Sequence, residues 1–138
     1  MIGMSRASKQ SRSMIQAFLV AVGGAIGSVL RYYVGQLALR IAGPAFPWGT
    51  LTVNVVGCFI IGVFAEMIVR RFDASPELRL LLITGFLGGL TTFSSFSLDA
   101  ISLYERGATV ASAVYIAASV GLSLAAVIGG LALMRAIL

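Results

Sequence analysis

Residues 85–102 read GFLGGLTTFSSFSLDAIS. The glycine pair Gly88 and Gly89, followed by Thr91 and Thr92, weakens a helix in the middle of an otherwise apolar stretch. In a membrane, a break there would offer carbonyl oxygens to a cation and a positive helix N-terminus to an anion, provided that it is buried in protein or lines water. Tight helix packing is the alternative explanation for the glycines. The segment therefore predicts either a broken membrane helix beside an ion or a close helix contact.

The composition around this segment is that of a membrane protein. Of the 138 residues, 59% are hydrophobic and only 11% are charged, too few to cover a water-soluble domain. A helix needs about 20 residues to cross a hydrocarbon layer of roughly 30 Å. Four apolar stretches of that length lie at residues 14–39, 49–69, 78–104 and 108–134, after a basic tail at residues 1–13. Because such runs are too long for barrel strands, we predict an all-α, integral membrane subunit whose residues 1–138 form one domain.

The basic residues flank the predicted spans. Seven lysines and arginines lie on the side of the two termini and two on the other side, which predicts that both termini face the cytoplasm. Three of the seven belong to residues 1–13, and without them the ratio is four to two, so the preference is weak. Since these charges are scattered at helix ends, the net charge of +5 does not predict nucleic-acid binding.

Polar residues recur at helical spacing inside three of the spans. They are Thr50, Asn54, Cys58, Gly62 and Glu66 in the second, Thr92, Ser95, Asp99 and Ser102 in the third, and Ser112, Tyr115, Ser119 and Ser123 in the fourth. Serine and threonine hydroxyls can bond to their own helix or join neighbouring helices. Asn54 is harder to explain in that way, because its amide needs several partners away from water. Three such stripes together favour a shared polar route.

Catalysis and metal chemistry through side chains find little support. The chain has no histidine, one cysteine and five carboxylates, without an acid–base pair or a metal-ligand cluster, so we do not expect an enzyme. Cys58 is expected to be a small apolar filler. Arg31 either attracts anions into a vestibule or reaches toward the membrane interface. Gly23 and Gly27 predict close helix packing, best explained by a helix dimer, and four helices alone leave little room for a pore.

The segment GFLGGLTTFSSFS, together with Asn54 and the stretch GGAIGSVLRY that contains Arg31, resembles the Fluc (CrcB) fluoride channels. The resemblance covers residues 17–134. It implies a passive, fluoride-selective channel of the bacterial inner membrane that exports fluoride from the cytoplasm and relieves its toxicity. It also implies a broken third helix, an antiparallel, dual-topology homodimer with two fluoride pathways lined by both subunits, and a central structural sodium ion that is not transported. The excess of basic residues on one side disagrees with insertion in both orientations.

The resemblance also implies roles for individual residues. Asn54, Phe93, Phe96, Ser123, Tyr115 and Thr52 would line the fluoride pathway, the main-chain carbonyls of Gly88 and Thr91 would hold sodium, and Arg31 would lie in the vestibule. The positive edges of phenylalanine rings can face an anion. Two other functions stay open. A small multidrug exporter would need an intramembrane carboxylate, which the first span lacks, and a non-transporting assembly subunit would need glycine faces but no polar stripes.

Overall fold

The computed structural model describes residues 6–70 and 76–138, and every regular element within these ranges is helical. The elements are α1 (Arg6–Ala42), α2 (Trp48–Arg70), α3 (Pro76–Arg79), a π-helix (Leu80–Leu87), α4 (Gly88–Leu90), α5 (Phe93–Glu105) and α6 (Thr109–Ile137). The elements from α3 to α5 together make up the third span.

Four helical stretches are long and apolar enough to cross a membrane: Gln10–Ala42, Trp48–Ile68, Pro76–Glu105 and Thr109–Ile137. Within the described ranges, the prediction of an all-α protein with four helices of membrane-spanning length is therefore confirmed. Within the described residues, the first helix extends back to Arg6, well before the predicted start of the span at residue 14. Residues 6–13 contain no glycine or proline that would end a helix. The segment predicted as a basic tail is thus helical from Arg6 onward.

Two glycines in left-handed backbone conformations end α1 and α5. Gly43 has φ +74° and Gly107 has φ +79°, a region that residues with a Cβ atom rarely adopt. The amide of Gly43 donates to the carbonyl of Leu39 at 3.0 Å, and the amide of Gly107 donates to the carbonyl of Tyr104 at 2.9 Å. These bonds satisfy carbonyls that the helix ends would otherwise leave unpaired. The short connections that follow bring sequential helices back into the bundle.

The first helix packs closely on the third span. A Cβ atom at Gly23 would overlap the carbonyl oxygen of Leu81, and one at Gly27 would overlap that of Phe86. Glycine is needed at both positions because backbone lies against backbone. The close packing predicted for these glycines therefore occurs within one subunit, between α1 and the third span, and the expected helix-dimer explanation is not needed for them.

The second and fourth spans form the other close pair. A Cβ atom at Gly62 would overlap the carbonyl oxygen of Val127, and one at Gly130 would overlap that of Phe59. One turn beyond Gly62, the buried carboxylate of Glu66 accepts a bond from Arg135 Nε at 3.1 Å. Two of the polar positions predicted on α2 thus contact α6 directly.

Buried apolar side chains form two clusters on either side of residues 91–92. One contains Leu51, Phe96, Ala100, Leu103 and Tyr115, and the other contains Val53, Leu87 and Leu90. Both clusters include residues of α2 and of the third span. The two helical parts of the third span are therefore each held in place by apolar packing.

Candidate ion pathway

Thr91 and Thr92 lie between α4 and α5 in extended conformations. Thr91 has φ −85° and ψ 156°, and Thr92 has φ −154° and ψ 118°. The amide of Thr91 still donates to the carbonyl of Leu87 at 3.0 Å, and its Oγ1 donates to the same carbonyl at 2.9 Å. In a continuous helix the amide of Thr92 would then donate to the carbonyl of Gly88. Its extended backbone directs this amide elsewhere.

Asn54 provides the partners that Thr92 needs. The Thr92 amide donates to Asn54 Oδ1 at 2.7 Å, and Asn54 Nδ2 donates to the Thr92 carbonyl at 3.1 Å. One side-chain amide from α2 thus satisfies both backbone groups of a residue that lies 38 positions later in the chain. A half-buried asparagine such as Asn54 needs hydrogen-bond partners where water is scarce, and an extended backbone inside a membrane needs them as well.

Thr92 also caps the N-terminus of α5. Its Oγ1 accepts a bond from the amide of Ser95 at 3.1 Å and lies 3.2 Å from Ser94 Oγ. Threonine is a favoured N-cap residue because its hydroxyl satisfies an amide that the first turn of a helix leaves unpaired. The restart of the helix at Phe93 therefore has a local cause in the sequence.

A cleft of about 240 Å³, with a mostly apolar wall that carries several uncharged polar groups, opens beside this segment. Its lining consists of Asn54, Cys58, Thr91, Thr92, Phe93, Phe96, Ser119, Val120 and Ser123, none of them charged. The cleft brings together Asn54, Phe93, Phe96 and Ser123, four residues that sequence analysis assigned to one pathway, and it adjoins Thr91, which was assigned to a cation. Helices α2, α5 and α6 all contribute to its wall.

Three aromatic rings lead from the cleft into the subunit. The ring centroids of Phe93 and Phe96 are 5.4 Å apart, and those of Phe96 and Tyr115 are 5.5 Å apart. Phe93 is 78% exposed, whereas Phe96 is 9% and Tyr115 0% exposed. The row therefore runs from the surface of the subunit to its centre. Tyr115 does not line the cleft but lies directly behind Phe96.

Asp99 links the inner end of this row to α2. Its Oδ2 accepts a bond from Thr50 Oγ1 at 2.7 Å and another from the Tyr115 hydroxyl at 3.3 Å. In the sequence, Asp99 and Thr50 are recognisable only as members of the polar stripes. The structure joins these stripes, one residue from each of α2, α5 and α6, in a single hydrogen-bonded group.

The remaining predicted residues lie apart from the cleft. Thr52 is exposed on α2, two residues from Asn54 and therefore on nearly the opposite side of the helix. Arg31 is half-buried on α1, and neither residue belongs to the cleft lining. Gly88 is exposed, and a Cβ atom there would meet only the carbonyl oxygen of Ile83, at 3.8 Å. Packing within the subunit thus does not explain a glycine at this position.

Comparison with known proteins identifies the family. Residues 18–131 match the family described as "CrcB-like protein, Camphor Resistance (CrcB)". The chain belongs to the CrcB family. A relative from Rhizobium etli (strain CIAT 652), named "Fluoride-specific ion channel FluC", is 82% identical over 124 residues, which cover 90% of this chain and 99% of the relative.

More distant members of the CrcB family carry the same name. The relative from Agrobacterium fabrum (strain C58 / ATCC 33970) is 64% identical over 122 residues, 88% of this chain and 98% of its own. The relative from Chelativorans sp. (strain BNC1) is 51% identical over 125 residues, 91% of this chain and 100% of its own. The similarity therefore extends over almost the full length of each relative and includes the whole of the cleft.

Five of the nine residues that line the cleft in this CrcB family member were not predicted to line the pathway, and Cys58 and Ser119 are the two of these that lie on helices within the polar stripes. Cys58 lies one helical turn from Asn54 and was expected to be filler. Ser119 lies one turn before Ser123, and its buried Oγ has no hydrogen-bond partner within the described ranges. Both belong to the polar stripes found in the sequence, so the spacing of these stripes was the available signal.

Proposed function

We propose that this protein is a passive, fluoride-selective ion channel, and that it performs no catalysis. The observation that carries the proposal is the uncharged cleft beside the extended residues Thr91 and Thr92, where Asn54, Phe93, Phe96 and Ser123 come together. The name shared by relatives up to 82% identical supports fluoride as the ion. Membership of the CrcB family supports the same assignment.

The chemistry of the cleft suits an anion that has to shed its hydration water on entering the cleft and has to be released from the cleft afterwards. Removing a small anion from water is costly unless hydrogen-bond donors replace the water. Ser119 and Ser123 bring two side-chain hydroxyls to the lining. The positive edges of the Phe93 and Phe96 rings are further favourable contacts. Because no ammonium or guanidinium lines the cleft, an anion would be stabilised without being trapped.

A second copy of the chain is part of the proposal. Phe93 lines the cleft but is 78% exposed, so one subunit leaves the proposed pathway open on that side. An antiparallel homodimer with two pathways, each lined by both subunits, would close it. This assembly requires insertion in both orientations, and the weak charge asymmetry outside residues 1–13 is compatible with it.

A structural sodium ion would bind to main-chain carbonyls of Gly88 and Thr91 from the two subunits. The donor set fits such an ion, because hard cations prefer oxygen ligands, and the described residues contain no acidic cluster that would favour a divalent metal. The extended ψ of Thr91 removes its carbonyl from the helical direction, and Gly88 is exposed. When bound, the ion would supply a positive charge that holds four carbonyls together.

The direction of flow follows from the membrane potential. In a bacterial inner membrane with a negative interior, passive anion movement runs outward. The protein would therefore export fluoride from the cytoplasm and relieve its toxicity. The cleft lining contains no titratable group except the Cys58 thiol, which gives no support to proton coupling.

The test is fluoride efflux from liposomes. Purified protein is reconstituted with an outward fluoride gradient, with potassium and valinomycin to compensate charge, and fluoride release is recorded beside a chloride control. We expect fluoride efflux that depends on valinomycin, without chloride efflux. Release of both ions would retain an anion channel but remove the selectivity, and no release from folded protein would refute the proposal.

Phe93→Ile tests the cleft itself. Since Phe93 is 78% exposed, its replacement leaves the interior of the subunit intact, and we expect efflux to fall at least tenfold while the protein stays folded. Phe18→Ile is the matched control, because Phe18 is a phenylalanine on α1 that is 67% exposed and does not line the cleft. Equal efflux from the two variants would show that the cleft does not conduct.

A further inference from the structure

A second, larger cavity lies at the end of the bundle where α1 joins α2. It measures about 430 Å³. Residues of α1, of the connection to α2 and of the start of α2, with Trp48 among them, form its mostly apolar side. Thr50, Asp99, Ser102 and Arg106 form the polar side. Asp99 and Arg106 are the two charged residues of the lining.

This cavity connects to the cleft through hydrogen-bonded and stacked side chains. Thr50 Oγ1 donates to Asp99 at 2.7 Å in the cavity wall, and the Tyr115 hydroxyl donates to the same carboxylate at 3.3 Å. The Tyr115 ring lies against Phe96, which lines the cleft. On α2, Thr50 of the cavity is one helical turn from Asn54 of the cleft. A series of side-chain contacts from Thr50 through Asp99 and Tyr115 to Phe96 therefore leads from the cavity to the cleft, and the two aromatic rings separate the polar groups of the one from those of the other.

The carboxylate of Asp99 would by itself repel an anion from this cavity. Arg106 lies two helical turns further along the same side of α5, about 10 Å toward the end of the bundle. Its Nε donates to the carbonyl of Ser102 at 3.2 Å, which uses one of the five guanidinium N–H groups, and both residues line the cavity. A cation at the mouth can offset the acid and attract anions, since clefts concentrate the field of their charges.

We propose that this cavity is the entrance to the fluoride pathway and that Arg106 is the residue that concentrates fluoride in it. The proposal rests on the proposed channel function. Arg106 would act on the ion in the cavity, before the ion enters the cleft. It also has a local role at the C-terminus of α5, where it bonds to the carbonyl of Ser102. Because its side chain is exposed, its effect must weaken as salt shortens the range of its field.

The first test uses tryptophan fluorescence. Trp48 is the only tryptophan of the chain and lines the cavity, so quenching by iodide reports the anion concentration there. Quenching is measured in detergent at low, constant ionic strength, with isethionate replacing iodide and with neutral acrylamide as a second quencher. We expect Arg106→Gln to lower the iodide quenching constant about twofold to threefold and to leave the acrylamide constant unchanged. Arg106→Lys should keep most of the iodide effect, because it keeps the charge.

Arg40→Gln is the matched control. Arg40 is an exposed arginine at the same end of the bundle that does not line the cavity. We expect its removal to leave both quenching constants nearly unchanged. If Arg106→Gln and Arg40→Gln lower the iodide quenching constant equally, Arg106 has no more effect than any other surface charge, and the proposal is overturned. A purely structural role in capping α5 would change the acrylamide constant as well.

The second test is fluoride efflux at two ionic strengths. The Debye length is about 30 Å at 0.01 M salt and about 10 Å at 0.1 M. At subsaturating fluoride, Arg106→Gln should reduce the initial rate about threefold at 0.01 M, with the difference disappearing near 0.5 M. Unchanged efflux at both salt concentrations, despite altered iodide quenching, would exclude the cavity as the entrance. Absence of efflux from the unaltered protein would refute the channel function, whereas the quenching comparison would still decide whether Arg106 collects anions.

Discussion

Replacing Asn54 by alanine tests whether one side chain holds the extended segment of the third span. The substitution removes two hydrogen bonds to Thr92, of 2.7 and 3.1 Å, without touching the backbone. Each bond contributes about 1 kcal/mol net, and a buried group left without a partner costs about 1–3 kcal/mol more. Thr92 is 9% exposed, and its extended backbone has no helical partner to return to.

We therefore expect Asn54→Ala to lower the free energy of unfolding by about 3 kcal/mol, or roughly 100-fold in the unfolding equilibrium. The figure lies above the value of about 0.6 kcal/mol typical of side-chain bonds between membrane helices. The reason is that those helices keep their own backbone bonds when a side chain is lost, whereas Thr92 does not. Water entering through the cleft would reduce the cost toward 2 kcal/mol.

The assay is equilibrium unfolding in mixed micelles with increasing dodecyl sulfate, followed by circular dichroism. Gln36→Ala is the control, because Gln36 is an exposed amide on α1, and we expect a change within about 0.5 kcal/mol. Asn54→Asp should fall between the two, since a carboxylate can accept from the Thr92 amide but cannot donate to its carbonyl. If the free energy of unfolding falls no further for Asn54→Ala than for Gln36→Ala, the extended segment is held by packing and our reasoning is wrong.

Two further predictions concern the packing of the third span and its proposed cation. Gly27→Val should destabilise the fold by several kcal/mol, because its side chain would overlap the backbone of Phe86, while Gly121→Val, which meets nothing within 4 Å in the subunit, should change the melting temperature much less. Replacing sodium by N-methylglucamine should lower the melting temperature of the protein in detergent, because the carbonyls of Gly88 and Thr91 would lose the proposed ion. A melting temperature that does not depend on sodium would contradict that site.

Much of the fold could be predicted from the sequence because the membrane imposes simple requirements. Length and hydropathy suffice for four spans, since lipid leaves the backbone few alternatives to a helix. The polar stripes were also informative. Thr50, Asn54 and Glu66 belong to a four-residue repeat that drifts slowly around α2, and all three bond to residues of other spans. A polar side chain inside a membrane has to face protein, so its periodicity reveals the inner face of a helix.

The partners of these side chains could not be predicted. The amide of Asn54 indicated that hydrogen-bond partners were needed. Nothing in the sequence near Asn54 indicated that Thr92 would be that partner. The glycine pair was ambiguous in a similar way. A Cβ atom at Gly89 would lie 2.5 Å from the carbonyl oxygen of Gly24, so this glycine serves packing, whereas Gly88 is exposed. The extended residues are the two threonines that follow the glycines. The local sequence does not predict this, because the extended conformation depends on contacts with other helices, such as the two bonds between Asn54 and Thr92.

Thr52 and Arg31 illustrate the limit of assignment by motif. Both residues were included because they resemble family positions, yet Thr52 lies on the far side of α2 from Asn54, and Arg31 belongs to α1, which contributes nothing to the cleft lining. A role in the pathway would require the surface of a second subunit to reach them. Their assignment therefore stays a prediction that depends on the proposed homodimer.

The distribution of charge gives a physical reason to separate capture from conduction in the proposed channel. Along α2, the ion pair of Glu66 with Arg135 lies near one end, and Thr50 with its bond to Asp99 lies near the other, about 24 Å away. The cleft between them has no charged lining. A fixed charge inside the cleft would bind an anion more tightly and slow its release, whereas a charge at the mouth raises the local concentration without deepening the binding site. Moving a cation inward, as in Ser123→Lys, should therefore increase anion binding while it reduces fluoride efflux.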